Sequence, residues 1–98
     1  MHARVTTLQM DPGKVDEASD RLQSEDVPEF KQLDGFKGMT LVTDRDSGKT
    51  LAITFWESED AMRSSEDAVK DARRRAADTG GADEPQVERF EVVFDTMA

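Results

Sequence analysis

The stretch Leu51-Ala52-Ile53-Thr54-Phe55-Trp56 constrains the fold more than any other part of the chain. Its β-branched and aromatic side chains read as a strand. Successive strand side chains point to opposite faces. Leu51, Ile53 and Phe55 therefore share one face and Ala52, Thr54 and Trp56 the other, and both faces carry bulk. A sheet built around this strand needs cover on both sides, whereas the helices of a 98-residue chain can cover only one.

The rest of the chain supplies those helices. His2 to Met10 reads as a first strand, broken by Asp11-Pro12-Gly13, with Asp11 as a helix cap and Pro12 at the first helical position. Val15, Ala18 and Leu22 recur at helical spacing. Pro28 interrupts that helix, and Val27, Phe30 and Leu33 continue the burial in a short second piece. After Gly35, Phe36 to Thr43 reads as a second strand, with Met39 and Leu41 opposed to Val42. The polar turn Asp44 to Lys49 makes a hairpin with the third strand, Thr50 to Trp56. Ser58 caps one long helix with Glu59 and Asp60 in its first turn, ended by Gly80-Gly81. Val87 to Phe94, with Phe90, Val92 and Phe94 alternating, is a fourth strand.

The order β-α-β-β-α-β predicts an α+β, ferredoxin-like domain over residues 1–98, a four-stranded antiparallel sheet with its helices on one face. The inward stripe of the long helix is mostly alanine and serine (Ala61, Ser65, Ala68, Ala72 and Ala76, with Met62 and Val69). We assign Ala52, Thr54 and Trp56 to that side, where small residues leave room. Leu51, Ile53 and Phe55 are left to a second copy, which predicts a two-fold homodimer with sheets face to face.

Composition closes several functions. With 22 acidic and 13 basic residues, the net charge is −9, which argues against nucleic-acid binding. Nothing approaches the roughly 20 apolar residues of a membrane span, and the start lacks the apolar core of a signal peptide, so a cytoplasmic protein is expected. There is no cysteine and one histidine, with no carboxylate–histidine spacing, so no metal is expected.

Five segments carry a family resemblance: Ala3-Arg4-Val5-Thr6, Asp11-Pro12-Gly13-Lys14, Pro28 with Gly35-Phe36-Lys37-Gly38, the hairpin Asp44 to Lys49, and above all Phe55-Trp56-Glu57-Ser58-Glu59-Asp60-Ala61 at the third strand's junction with the long helix. Together they resemble the antibiotic biosynthesis monooxygenase-like group of dimeric α/β barrels. The resemblance implies a dimer with a ligand cavity between sheet and helices, and members that include cofactor-free oxygenases of aromatic polyketides and quinols, haem degraders and small-metabolite isomerases or degraders. The polyketide oxygenases carry an asparagine four residues before the tryptophan of the junction, where this chain has Ala52. The haem degraders' asparagine, tryptophan and histidine correspond to positions near Thr6, Ser65 and Arg73 to Arg75, so haem degradation by their mechanism is not expected.

The residues themselves offer a sparse set for chemistry. Trp56 reads either as an aromatic wall for a planar ring or as a core tryptophan. His2 has the pKa range of a general base but stands at the start of the first strand. Arg4 reads either as a holder of an anion or as half of an ion pair on the sheet. Arg73, Arg74 and Arg75 point in three directions around the helix, so at most one or two can reach a cavity, and otherwise they read as a surface run at the helix end. The expected ligand cavity is lined by Thr6, Ala52, Thr54, Trp56, Met62 and Ser65. Cofactor-free oxygenation needs only orientation, anion stabilisation and exclusion of water. The expectation is therefore a small monooxygenase-like protein that binds a planar aromatic or quinone-type molecule and oxidises it with O₂ and no cofactor. The alternatives are a non-catalytic ligand-binding or structural dimer, or a small-metabolite isomerase or degrader.

Overall fold

The computed structural model describes residues 1–97. Four strands, β1 (His2–Gln9), β2 (Phe36–Thr43), β3 (Lys49–Trp56) and β4 (Gln86–Glu91), form one antiparallel sheet in the order β2-β3-β1-β4. The helices α1 (Val15–Arg21), α2 (Val27–Phe30), α3 (Glu59–Ser64) and α4 (Glu66–Gly80) complete the ferredoxin-like arrangement. Thr50, Thr54 and Trp56 of β3 are buried beneath the helices, while Leu51, Ile53 and Phe55 are half-buried on the open face. The open face extends over Val5 and Phe90, which its neighbouring strands bring alongside. Among the described residues no helix is long and apolar enough to cross a membrane.

Three local features differ from the expectation. The first helix is interrupted near Pro28 as expected, but its start and its interruption are not wound as an α-helix. Asp11 accepts a hydrogen bond from the Gly13 amide at 2.9 Å, and a short 3₁₀ turn, Pro12–Lys14, precedes α1. Between α1 and α2 the chain makes a wide π-helical turn, Leu22–Asp26, closed by the Val27 amide on the Leu22 carbonyl. Pro28 has no N–H for the carbonyl four residues back, so regular winding cannot continue through it.

The long helix breaks at Ser65. The Met62 carbonyl, which would accept the next helical N–H, instead accepts from Arg4 Nη2 at 2.7 Å and from Ser65 Oγ at 2.6 Å. A side chain inserted into the ladder is a recognised cause of such breaks. The fourth strand ends at Glu91, earlier than Phe94. Its pairing goes one step further through the Val92 amide to the Met1 carbonyl at 2.8 Å.

Strand β2 carries a bulge, with the register shifting between Phe36 and Gly38. The bulged residue, Lys37, lets Phe36 and Met39, three apart, both pack under the helices. At one pole of the molecule the Met10 amide donates to the Gly48 carbonyl at 3.0 Å and the Asp11 amide to the Gly80 carbonyl at 2.9 Å. Gly48 has φ +81°, and a Cβ there would stand 2.1 Å from the Met10 carbonyl oxygen.

Candidate functional site

The core beneath the helices falls into two clusters. Leu8, Met10, Val15, Ala18 and Ala77 form one. Phe30, Trp56, Met62, Val69 and Ala72 form the other. Between them lies a cavity of about 40 Å³, room for a few water molecules. Its sheet side is Thr6, Leu8, Ala52, Thr54, Met39 and Leu41, and its roof includes Leu22, Val69, Ala72 and Ala76. The small residues of α4 produce this space because their side chains end short of the sheet.

A larger cleft of about 420 Å³ opens outside, between β2 and the turn after α1. Leu22, Met39 and Leu41 border both the cleft and the cavity. These three side chains stand between the cleft and the cavity, and a flexible methionine is well suited to yield there.

Of the residues expected to line the cavity, Thr6, Ala52 and Thr54 do so. Trp56, Met62 and Ser65 are buried beside it and do not border it. Trp56 has no exposed surface. Its Nε1 donates to Thr54 Oγ1 at 2.9 Å, and Phe36 meets it edge-on at 5.3 Å between ring centroids. The Arg4 guanidinium lies 5.7 Å from its ring centroid, within range of a cation–π contact.

Arg4 is 1% exposed and is a structural hub. Besides the Met62 carbonyl, its Nη2 donates to Ser65 Oγ at 3.2 Å and to Glu66 Oε2 at 2.6 Å. Glu66 also accepts from Arg89 on β4 at 2.6 Å, and Arg73 Nη2 stands 3.8 Å away, beyond a hydrogen bond. Burial lowers the pKa of Arg4, against the raising effect of Glu66. For Glu66 burial would raise the carboxyl, but the charges of Arg4 and Arg89 and their hydrogen bonds prevail and hold it below its ordinary value.

His2 sits opposite Trp56 and Glu91 at the end of β1, apart from the cavity, with Nδ1 buried and unpaired. The arginine run divides. Arg74 is exposed, Arg75 pairs with the buried Asp26 at 2.6 Å, and Arg73 lines the cavity. From the sequence at most one or two of Arg73 to Arg75 are expected to reach a cavity, and Asp26 is not singled out. For Arg73 the signal was present, since it stands beside Ala72 and four residues after Val69, on the inward stripe. No group of histidine, cysteine, aspartate and glutamate among the described residues could hold a metal ion.

Comparison with known proteins agrees on the fold. The sequence model described as antibiotic biosynthesis monooxygenase matches residues 1–77, ending within α4. Two uncharacterised proteins of Mycobacterium tuberculosis are similar. Rv2558 is 36% identical over 77 residues, 79% of this chain and 33% of its own length. Rv2557 is 33% identical over 92 residues, 94% of this chain and 41% of its own length. The chain thus spans about a third to two-fifths of the relatives it matches.

Among solved structures, a monooxygenase from the gene ActVA-Orf6 of Streptomyces coelicolor, in complex with nanaomycin D, superposes with a TM-score of 0.79 at 17% identity. The match covers 99% of this chain and 91% of that one. The haem degrader MhuD of M. tuberculosis, with two haems in its active site, gives 0.76 at 20% identity, covering 99% and 100%. At these identities the likeness is one of fold.

Proposed function

The chain belongs to the antibiotic biosynthesis monooxygenase family, and from that premise we propose that it binds a planar aromatic or quinone-type molecule beneath its helices and oxidises it with O₂ without a cofactor. The observation that carries this reading is the cavity between the two core clusters, reached past Leu22, Met39 and Leu41 from a cleft large enough for a ring system. The cavity itself is smaller than such a ring, so binding requires those three side chains to part and the methionines to repack. Relatives in fold hold nanaomycin D and haem, both extended planar systems.

The chemistry rests with the substrate. A ring CH₂ made acidic by conjugation with a carbonyl across the ring can give its electrons to O₂, one oxygen becoming a new ring carbonyl and the other leaving as water with the two hydrogens. The chain's part is to hold the ring between Thr6, Ala52 and Thr54 below and Val69, Ala72 and Ala76 above, and to exclude bulk water. Haem does not fit this donor set. The single histidine lies at the end of β1, and neither α3 nor α4 carries a histidine, cysteine or tyrosine to ligate the iron.

The working unit in this reading is a homodimer of single-domain chains. Two copies bury the half-exposed Leu51, Ile53 and Phe55 together with Val42 and Phe90, which are 44% and 48% exposed. The sparse polar lining also supports a second reading, a ligand-binding dimer without turnover. Oxygen uptake with a panel of hydroquinones and anthrone-like phenols separates the two. Turnover above autoxidation, abolished by Ala52→Leu, which fills the cavity, is the expected result. Saturable binding without uptake establishes the second reading, and neither binding nor uptake overturns both.

A further inference from the structure

Among the described residues Arg73 is the one charged side chain bordering the interior cavity. It also borders a groove of about 380 Å³ on the far side, between α4 and the segment leading into β4. Arg73 thus stands in the wall between interior and outer groove. Its side chain is 14% exposed, and its Nε and Nη2 are buried without a hydrogen-bond partner. Arg4 Nε and Nη1 are in the same condition.

The local charge does not balance. Arg4, Arg73 and Arg89 gather around a single carboxylate, Glu66, whose oxygens are taken up by Arg4 and Arg89. Buried cations are ordinarily paired, and buried guanidinium donors ordinarily bonded. Here one carboxylate serves three guanidiniums, and the least satisfied of them is the one on the cavity wall. The chain as a whole carries −9, so an anion gains nothing from long-range attraction and must be held by a local, desolvated contact.

We propose that the ring-shaped ligand of the cavity bears a carboxylate or an equivalent fixed anion, and that Arg73 is the residue that selects it. This inference rests on the ring-binding reading given above and adds the charge of the ligand to it. Arg73 supplies adjacent N–H groups in a planar fork that suits a carboxylate. The apolar remainder of the ligand lies towards Ala52, Ala72 and Ala76.

The test compares anthraquinone-2-carboxylate with its neutral isostere anthraquinone-2-carboxamide, by calorimetry and by quenching of the single tryptophan. The expected result is about tenfold or tighter binding of the acid, the range of one charge-assisted hydrogen-bonded contact. Arg73→Met and Arg73→Gln should each bring the ratio of acid to amide affinity towards one. Because the readout is that ratio, the amide reports an intact cavity in each variant. Equal binding of acid and amide by the wild type overturns the charge inference and leaves the ring-binding reading standing. A preference for the acid that survives both substitutions overturns the assignment to Arg73. Failure of both compounds to bind overturns the ring-binding reading and this inference with it.

Discussion

Arg4 Nη2 lies 2.7 Å from the backbone oxygen of Met62, and the helix that should have run on from there stops. A residue of the first strand thereby sets where the helical layer bends. The same guanidinium holds Ser65 and Glu66. Arg4→Met should therefore cost about 2–4 kcal/mol, since it leaves a buried carbonyl short of a donor and the carboxylate with one partner fewer. Urea unfolding of the two proteins measures this, and a loss under about 1 kcal/mol would mean that the network is no stronger than a surface pair.

Glu66 gives the fold an acid-sensitive element. Its carboxyl is depressed below 4.5 in the folded chain by Arg4 and Arg89 acting against burial. A depressed carboxyl stabilises above its unfolded value, and that contribution disappears as the pH falls through the folded value. Stability should thus fall progressively below about pH 4.5, and Glu66→Gln should flatten that part of the profile while lowering stability at pH 7. Denaturation midpoints between pH 7 and pH 3 give the comparison. A variant with the same acid slope as the parent removes Glu66 from the account.

Ile53 stands mid-strand on the open face, opposite Val5 and Thr40 in the register. Ile53→Asp should convert the proposed homodimer into single chains of 10.9 kDa without disturbing the helix-side core. Light scattering together with circular dichroism distinguishes dissociation from unfolding. A parent protein that already runs as one chain at micromolar concentration sinks the dimer.

Gly48→Ala should be among the most harmful small substitutions in the chain. The added methyl would meet the Met10 carbonyl oxygen at 2.1 Å, and the backbone has φ +81°. A loss of about 2–4 kcal/mol is expected from strain together with the disrupted Met10–Gly48 hydrogen bond. Thermal unfolding tests it, and a shift of only a degree or two would show that the loop relaxes freely.

Much of this architecture was legible in the sequence because alternation and helical spacing report which face a residue takes. The opposed faces of Leu51 to Trp56 gave the covered and open sides of the sheet. What spacing reports is direction, not depth. Thr54 and Trp56 share a face, yet Thr54 reaches the cavity and Trp56 ends in the core beside it. The bulge at Lys37 was not legible, and a regular strand would have placed Phe36 and Met39 on opposite sides. The break at Ser65 was hidden for a different reason. Its cause is 58 positions away in the chain, and no local pattern contains it. Likewise Arg73, Arg74 and Arg75 look like one basic run, while the fold sends them to a cavity wall, to solvent and to Asp26.

Met10 and Asp11 are tied to the carbonyls of Gly48 and Gly80, so the β1–α1 connection, the β2–β3 hairpin and the end of α4 are fastened at one pole. The layer formed by α1 and α2 is anchored there like a door on its hinge side. Swinging it displaces the latch side most, where Phe36 and Gly38 meet Val27 and Lys31 across the outer cleft. A ligand entering as proposed would therefore pass at the end of the sheet away from the Met10–Gly48 and Asp11–Gly80 ties.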